Sequence, residues 1–147
     1  MTDSDLNLFV GIVVNYFQKI ARQKPHLREP VIEFRPPSFL DYSGFIRLSG
    51  SNEGCIYITM PSAFLTEVLH RIGEKDVDDS LRRDLVGEMA STIASNAREQ
   101  FGNQLHISVP ETIQDGQQPS FAIPSTRFML PIEWNDQLAY LGIALAS

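Results

Sequence analysis

Five polar residues, Asp84, Glu88, Ser91, Ser95 and Arg98, stand four, three, four and three positions apart in one stretch of the chain. At about 100° per residue this spacing puts all five on one face of an α-helix. A carboxylate can hold a cation, and a hydroxyl can both donate and accept a hydrogen bond. A row of acids and small hydroxyls also lets another protein approach closely. On pattern alone, however, Asp84 and Glu88 beside Arg82 and Arg83 read as ordinary surface charges.

Other candidate groups point to less. His26, His70 and His106 have no second ligand-type residue at metal spacing. The chain carries no GxGxxG, no P-loop lysine motif and no GxSxG. Cys55 is the single cysteine, which excludes a disulfide framework or a cysteine zinc site within one chain. Its hydrophobic neighbours make it a core residue, and Trp134 reads the same way. Glu33 and Glu133 sit on separate strand candidates, where alternation alone turns charges outward.

The helix that must position the five residues runs over 79–102. Leu85, Met89, Ile93, Ala97 and Phe101, with Val86, Ala90 and Ala94, give it a broad apolar stripe opposite the polar face. Gly102 ends it. A first helix is predicted over 5–23, with Leu6, Phe9, Val10, Val13, Phe17 and Ile20 on one face. Leu8, Ile12 and Tyr16 widen that stripe, so this helix is covered on more than one side. Residues 31–35 form a short strand. Residues 44–49 and 55–60 alternate and make a hairpin around Gly50 to Gly54. Pro61 opens a short helix that buries Phe64, Leu65, Val68, Leu69 and Ile72 and stops at Gly73.

After the long helix, Leu105, Ile107 and Val109 alternate as a strand, and 114–120 is a loop. Residues 128–134 and 137–145 form a last hairpin around Asn135-Asp136. Pro131 inside the first of these predicts an edge or a bulge. Helix, strand and hairpin thus occur twice, over 5–60 and 80–145. The order predicts an α+β class, a mostly antiparallel sheet and both long helices on the same face.

The 147 residues suit one domain, 1–147. A net charge of -6 and scattered basic residues argue against nucleic acid. The acidic start MTDSD argues against a signal peptide, and the run from Leu8 to Val14 is too short to span a bilayer. The expectation is a cytoplasmic protein with no membrane contact.

The long helix and the segment after it resemble the CheC/CheX family of chemotaxis phosphatases, the CheX branch in particular. That family's helix carries Asp-x3-Glu-x2-Asn, and Asp84-LVG-Glu88-MA-Ser91 occupies the place. Asn96, the segment Ser108-VPETIQD-Gly116 and the hairpin IRLSGSNEGCIYITMP match as well, so the likeness covers nearly the whole chain. The resemblance implies a CheC-like fold and a phosphorylated CheY-like response regulator as partner. It implies hydrolysis of the regulator's aspartyl phosphate in bacterial chemotaxis or two-component signalling.

In the family the Glu pairs with a lysine of the regulator, and the Asn amide orients the attacking water. The implied catalytic residues are therefore Glu88 and Ser91, with Asp84, Ser95 and Arg98 against the partner. No cofactor of the chain's own is implied, since Mg²⁺ belongs to the regulator. Pairing with a second copy is also implied.

The sequence departs from that pattern at two places. Ser91 stands where the family has Asn, and Ser95 where it has Gly. A hydroxyl is shorter than an amide and cannot span two partners as an amide does. Losing one well-placed donor costs on the order of 10²–10³ in rate. Three readings stand on this: a phosphatase weakened at Ser91, a module that binds a regulator without hydrolysis, and a dimerisation domain packed through the 84–98 face.

Overall fold

The computed structural model describes residues 2–146. The end residues of the expected domain 1–147, Met1 and Ser147, lie outside it. The chain forms α1 (Asp3–Ile20), β1 (His26–Leu27), β2 (Val31–Glu33), β3 (Tyr42–Gly50), β4 (Glu53–Met60) and α2 (Ser62–Arg71). It continues through α3 (Asp79–Phe101), β5 (Leu105–Ile107), β6 (Glu111–Gln114), β7 (Arg127–Trp134) and β8 (Gln137–Ala146).

All strand pairings are antiparallel, and the strands form one sheet in the order β1-β7-β8-β4-β3-β5, with β2 beside β7 and β6 beside β3. The two predicted halves therefore exchange strands. The short strands β1 and β2 of the first half pair with the second hairpin, and β5 and β6 of the second half pair with the first hairpin. The hairpins meet along β4 and β8 at the centre.

Alternation sorts the sheet into two faces. Ile46, Ile56, Ile58, Leu130, Ile132, Leu141 and Ile143 pack under the helices, together with Phe9, Phe17, Phe64, Val86 and Ala90. The opposite face carries Phe45, Cys55, Tyr57 and Met129, covered by Phe39, Phe121 and Ile123 from loops. Phe39, Tyr57 and Phe121 pack around Phe45 with ring centroids 5.2, 5.5 and 6.0 Å away.

Several boundaries differ from the sequence expectation. α1 starts earlier because Thr2 and Asp5 form a reciprocal capping box, and it stops at Ile20 because Arg22 turns to a positive φ of 56°. The strand expected over 31–35 is shortened to β2, Val31–Glu33, and the two-residue strand β1 before it was not expected. Pro131 lies opposite the break between them, where its carbonyl accepts from the Arg28 N–H at 3.1 Å. Its missing N–H points the same way, so the proline sits in a flanked strand at an unladdered point. It is not at a free edge, but the register shifts by one residue between Leu27 opposite Ile132 and Val31 opposite Met129, so three residues face Leu130 and Pro131 and the expected bulge is present.

The strand expected over 105–109 also breaks, at Ser108 to Pro110, and pairing with β3 resumes in β6 with the register shifted by one residue. Val109 consequently faces out, 84% exposed, instead of alternating inward. Ile72, expected on the buried face of α2, lies past the end of that helix and is 44% exposed. Asn135 and Asp136 take positive φ of 49° and 61°, the two-residue turn the spacing predicts.

Candidate functional site

The long helix is seated by what two glycines lack. A Cβ on Gly44 of β3 would stand 2.5 Å from the Val86 carbonyl oxygen, so α3 lies directly on the strand backbone there. On the other flank, a Cβ on Gly87 would stand 3.0 Å from Thr112 Cγ2 and 3.6 Å from Pro110 Cβ. α3 is thus wedged between α1 on one side and the β5–β6 connection on the other. Asp78 caps its N-terminus, accepting from the Leu81 N–H at 2.9 Å.

Leu85, Val86, Met89, Ala90, Ile93, Ala94 and Ala97 are buried on the inner side of α3. Asp84, Glu88, Ser95 and Arg98 are exposed, and Ser91 is half-buried between them. The structure therefore brings all five expected residues into one ridge. At 1.5 Å per residue it runs about 21 Å along the surface. Asn96 stands off this line, half-buried on the side of α1.

The neighbouring arginines do not neutralise the ridge. Arg82 turns inward, with Nε donating to Tyr42 Oη at 3.0 Å, Nη1 to Thr66 Oγ1 at 3.2 Å and Nη2 to Asp79 Oδ1 at 3.0 Å. The Tyr42 hydroxyl also donates to Asp79, and this bond, more than the one from Arg82, holds the Asp79 carboxyl below the usual range. Arg83 donates to Gln114 of β6. Among the described residues, neither Asp84 nor Glu88 takes part in an ion pair or a side-chain hydrogen bond. Asp84 and Glu88 are solvent-exposed, as surface charges would be, but Arg82 and Arg83 bond to other side chains rather than to them.

Two features flank the ridge that the sequence does not single out. Val109, 84% exposed, immediately precedes Pro110, which packs against Gly87 of α3. Between α1 and α3 runs a groove of about 430 Å³ lined by Tyr16, Lys19, Glu88, Thr92 and Asn96. A tyrosine at the margin of an apolar helix stripe was the available signal for the groove. No pattern in the sequence marks Val109, because its exposure stems from the break in the strand.

Elsewhere, Glu133 pairs with Arg28 while Glu33 lies opposite Arg127 in the β2–β7 register, so the two acids have separate neighbours. Among the described residues no group of three or more His, Cys, Asp or Glu converges as a metal site. Among the described residues no helix is long and apolar enough to cross a membrane. Cys55 is buried on the rear face of the sheet.

The family described as "Chemotaxis phosphatase CheX" matches residues 42–133. No curated protein matches the chain. Among solved structures, a CheC-like superfamily protein from Shewanella sp. PV-4 superposes with a TM-score of 0.84 at 20% identity, covering 100% of both chains. The chemotaxis protein CheX from Desulfovibrio desulfuricans superposes at 0.83 and 21% identity, covering 97% of this chain and 99% of that one. A CheX–CheY–BeF3–Mg²⁺ complex from Borrelia burgdorferi contains a chain that superposes at 0.75 and 19% identity, covering 97% of each. These likenesses establish the CheC-like α+β fold.

Proposed function

The chain belongs to the CheX family of chemotaxis phosphatases, and from that premise we propose that it binds a phosphorylated CheY-like response regulator through the α3 ridge and promotes hydrolysis of its aspartyl phosphate. The relative solved as a CheX–CheY complex supports the choice of partner. The observation that carries the reading is the state of the ridge acids. Glu88 and Asp84 are exposed and unpaired among the described residues, on a rigid helix whose adjacent arginines, Arg82 and Arg83, are engaged elsewhere.

In this reading Glu88 anchors a cationic side chain of the regulator, while Asp84, Ser95 and Arg98 border the contact. Ser91 takes the position of the water-orienting group. Phosphoryl transfer needs positioning and charge stabilisation more than covalent help. The regulator supplies the phosphoaspartate and its Mg²⁺, so this chain adds only an anchor and a polar group. The Ser91 hydroxyl donates and accepts through one short-reaching atom, whereas an amide accepts from water with its oxygen and donates to a phosphate oxygen with its separate nitrogen.

Ser91 also favours a second reading, in which the same ridge recognises the regulator without hydrolysis. Phosphate release from the phosphorylated regulator separates the two. The first predicts acceleration by wild type and its loss in Glu88→Ala. The second predicts no acceleration by wild type and its appearance in Ser91→Asn, on the order of 10²-fold. If neither wild type nor Ser91→Asn accelerates release or binds the regulator, both readings fall.

A further inference from the structure

The groove between α1 and α3 contains a polar atom that the fold leaves without a partner. Tyr16 is only 9% exposed, and its hydroxyl is buried with no hydrogen bond among the described residues. Such a group is costly and calls for an explanation. Phenylalanine would fill the same apolar space against Phe17, whose ring centroid lies 5.5 Å away. The hydroxyl is therefore superfluous to packing.

Glu88 lines the same groove from α3 and is exposed above it. Burial, and then the negative charge of Glu88, push the Tyr16 phenol well up, so it keeps its proton and remains a donor. Lys19 lines the groove too, but makes no ion pair with Glu88. An exposed glutamate loses rotamer freedom when it is held against a cation, which is why exposed ion pairs are weak. A buried donor lining the same groove can remove part of that loss by bonding the carboxylate.

Resting on the docking function above, we propose that Tyr16 is a positioning residue for Glu88. When the regulator docks on the ridge, the Tyr16 hydroxyl donates to one carboxylate oxygen of Glu88 and leaves the other facing the partner's cation. The bond holds one rotamer of Glu88 and keeps the carboxylate ionised. Nothing covalent changes, and no proton leaves the phenol.

A double-mutant cycle tests this, using calorimetric affinity for a beryllofluoride-activated CheY-like regulator. Tyr16→Phe is expected to weaken binding about 3- to 10-fold when Glu88 is present. In a Glu88→Ala background the same change is expected to have almost no effect. The melting temperature of Tyr16→Phe is expected to stay level or rise, because an unpartnered hydroxyl has been removed.

Equal weakening in both backgrounds overturns the proposal, since Tyr16 would then act through something else. So does a fall in melting temperature of several degrees, which would reveal an internal partner. If wild type binds and Tyr16→Phe binds as well, this inference alone fails. If wild type does not bind at all, the docking function fails and takes the inference with it.

Discussion

The two sides of α3 are built on opposite terms. Its inner side is fixed by contact: Val86 lies on a β3 backbone made bare at Gly44, and Ala90, Ala94 and Ala97 keep the helix low over the sheet. Every residue there is accounted for by packing. Its outer side is accounted for by nothing in the described chain. Asp84 and Glu88 have no internal partner there, while Arg82 and Arg83, the cations that would pair with them by sequence proximity, are held by Tyr42, Thr66, Asp79 and Gln114. A helix so rigidly seated, presenting a row of unused polar groups, is suited to meet a second protein without rearrangement.

That contrast predicts that the two sides fail differently. The largest effect belongs to the inner side. Gly44→Val places side-chain atoms against the Val86 carbonyl, where only backbone can give way. We expect a loss of about 3 kcal/mol or more, at the upper end of overpacking penalties, read as a lower midpoint in urea. Ridge substitutions are expected to leave stability within about 0.5 kcal/mol.

On the outer side, Glu88→Ala is expected to weaken regulator binding about tenfold or more, equivalent to ~1.4 kcal/mol, with an unchanged unfolding midpoint. A large stability loss instead would place Glu88 in the scaffold and dissolve the contrast. Val109→Ser probes the same side more gently. Val109 is 84% exposed and precedes Pro110, which packs against α3, so this change is expected to weaken binding about two- to threefold, consistent with partial burial of one aliphatic side chain, at no cost in stability.

The smallest effect concerns the rear layer, which the proposed partner does not touch. Burial pushes the Cys55 thiol up from 9.0 to about 12. Between those values the unfolded chain has lost the proton that the folded chain keeps, so stability falls as pH rises. Replacing Cys55 with Ala is expected to make the alkaline decline shallower in denaturant midpoints taken above pH 9. The same change is expected to leave regulator affinity unaltered.

Much of this was visible in the sequence, and the reasons are physical. Helical spacing alone placed Asp84, Glu88, Ser91, Ser95 and Arg98 on one face, because a long helix repeats its pattern enough times to be unambiguous. The hairpins and the doubled helix–strand–hairpin order were equally plain from alternation and turn residues. What escaped was non-local. β1 and β6 are too short to show a period, and their pairing is set by the other half of the chain. The break that exposes Val109 comes from a register shift against β3. The engagement of Arg82 depends on Tyr42 and Thr66, which no spacing rule connects to it. Tyr16 was visible as an apolar-stripe member, but its unpartnered hydroxyl appears only once α1 lies beside α3.

Docking through the outer side of α3 underlies all of these expectations. Amide chemical shifts of the isotopically labelled chain, followed as a beryllofluoride-activated CheY-like regulator is added, test it without any mutation. Perturbed amides are expected to cluster over Asp84 to Arg98 and over Val109 to Thr112, while the rear layer around Phe45, Tyr57 and Phe121 stays still. Saturable shifts confined to the rear layer or to β2, with the ridge unmoved, would refute docking on this face.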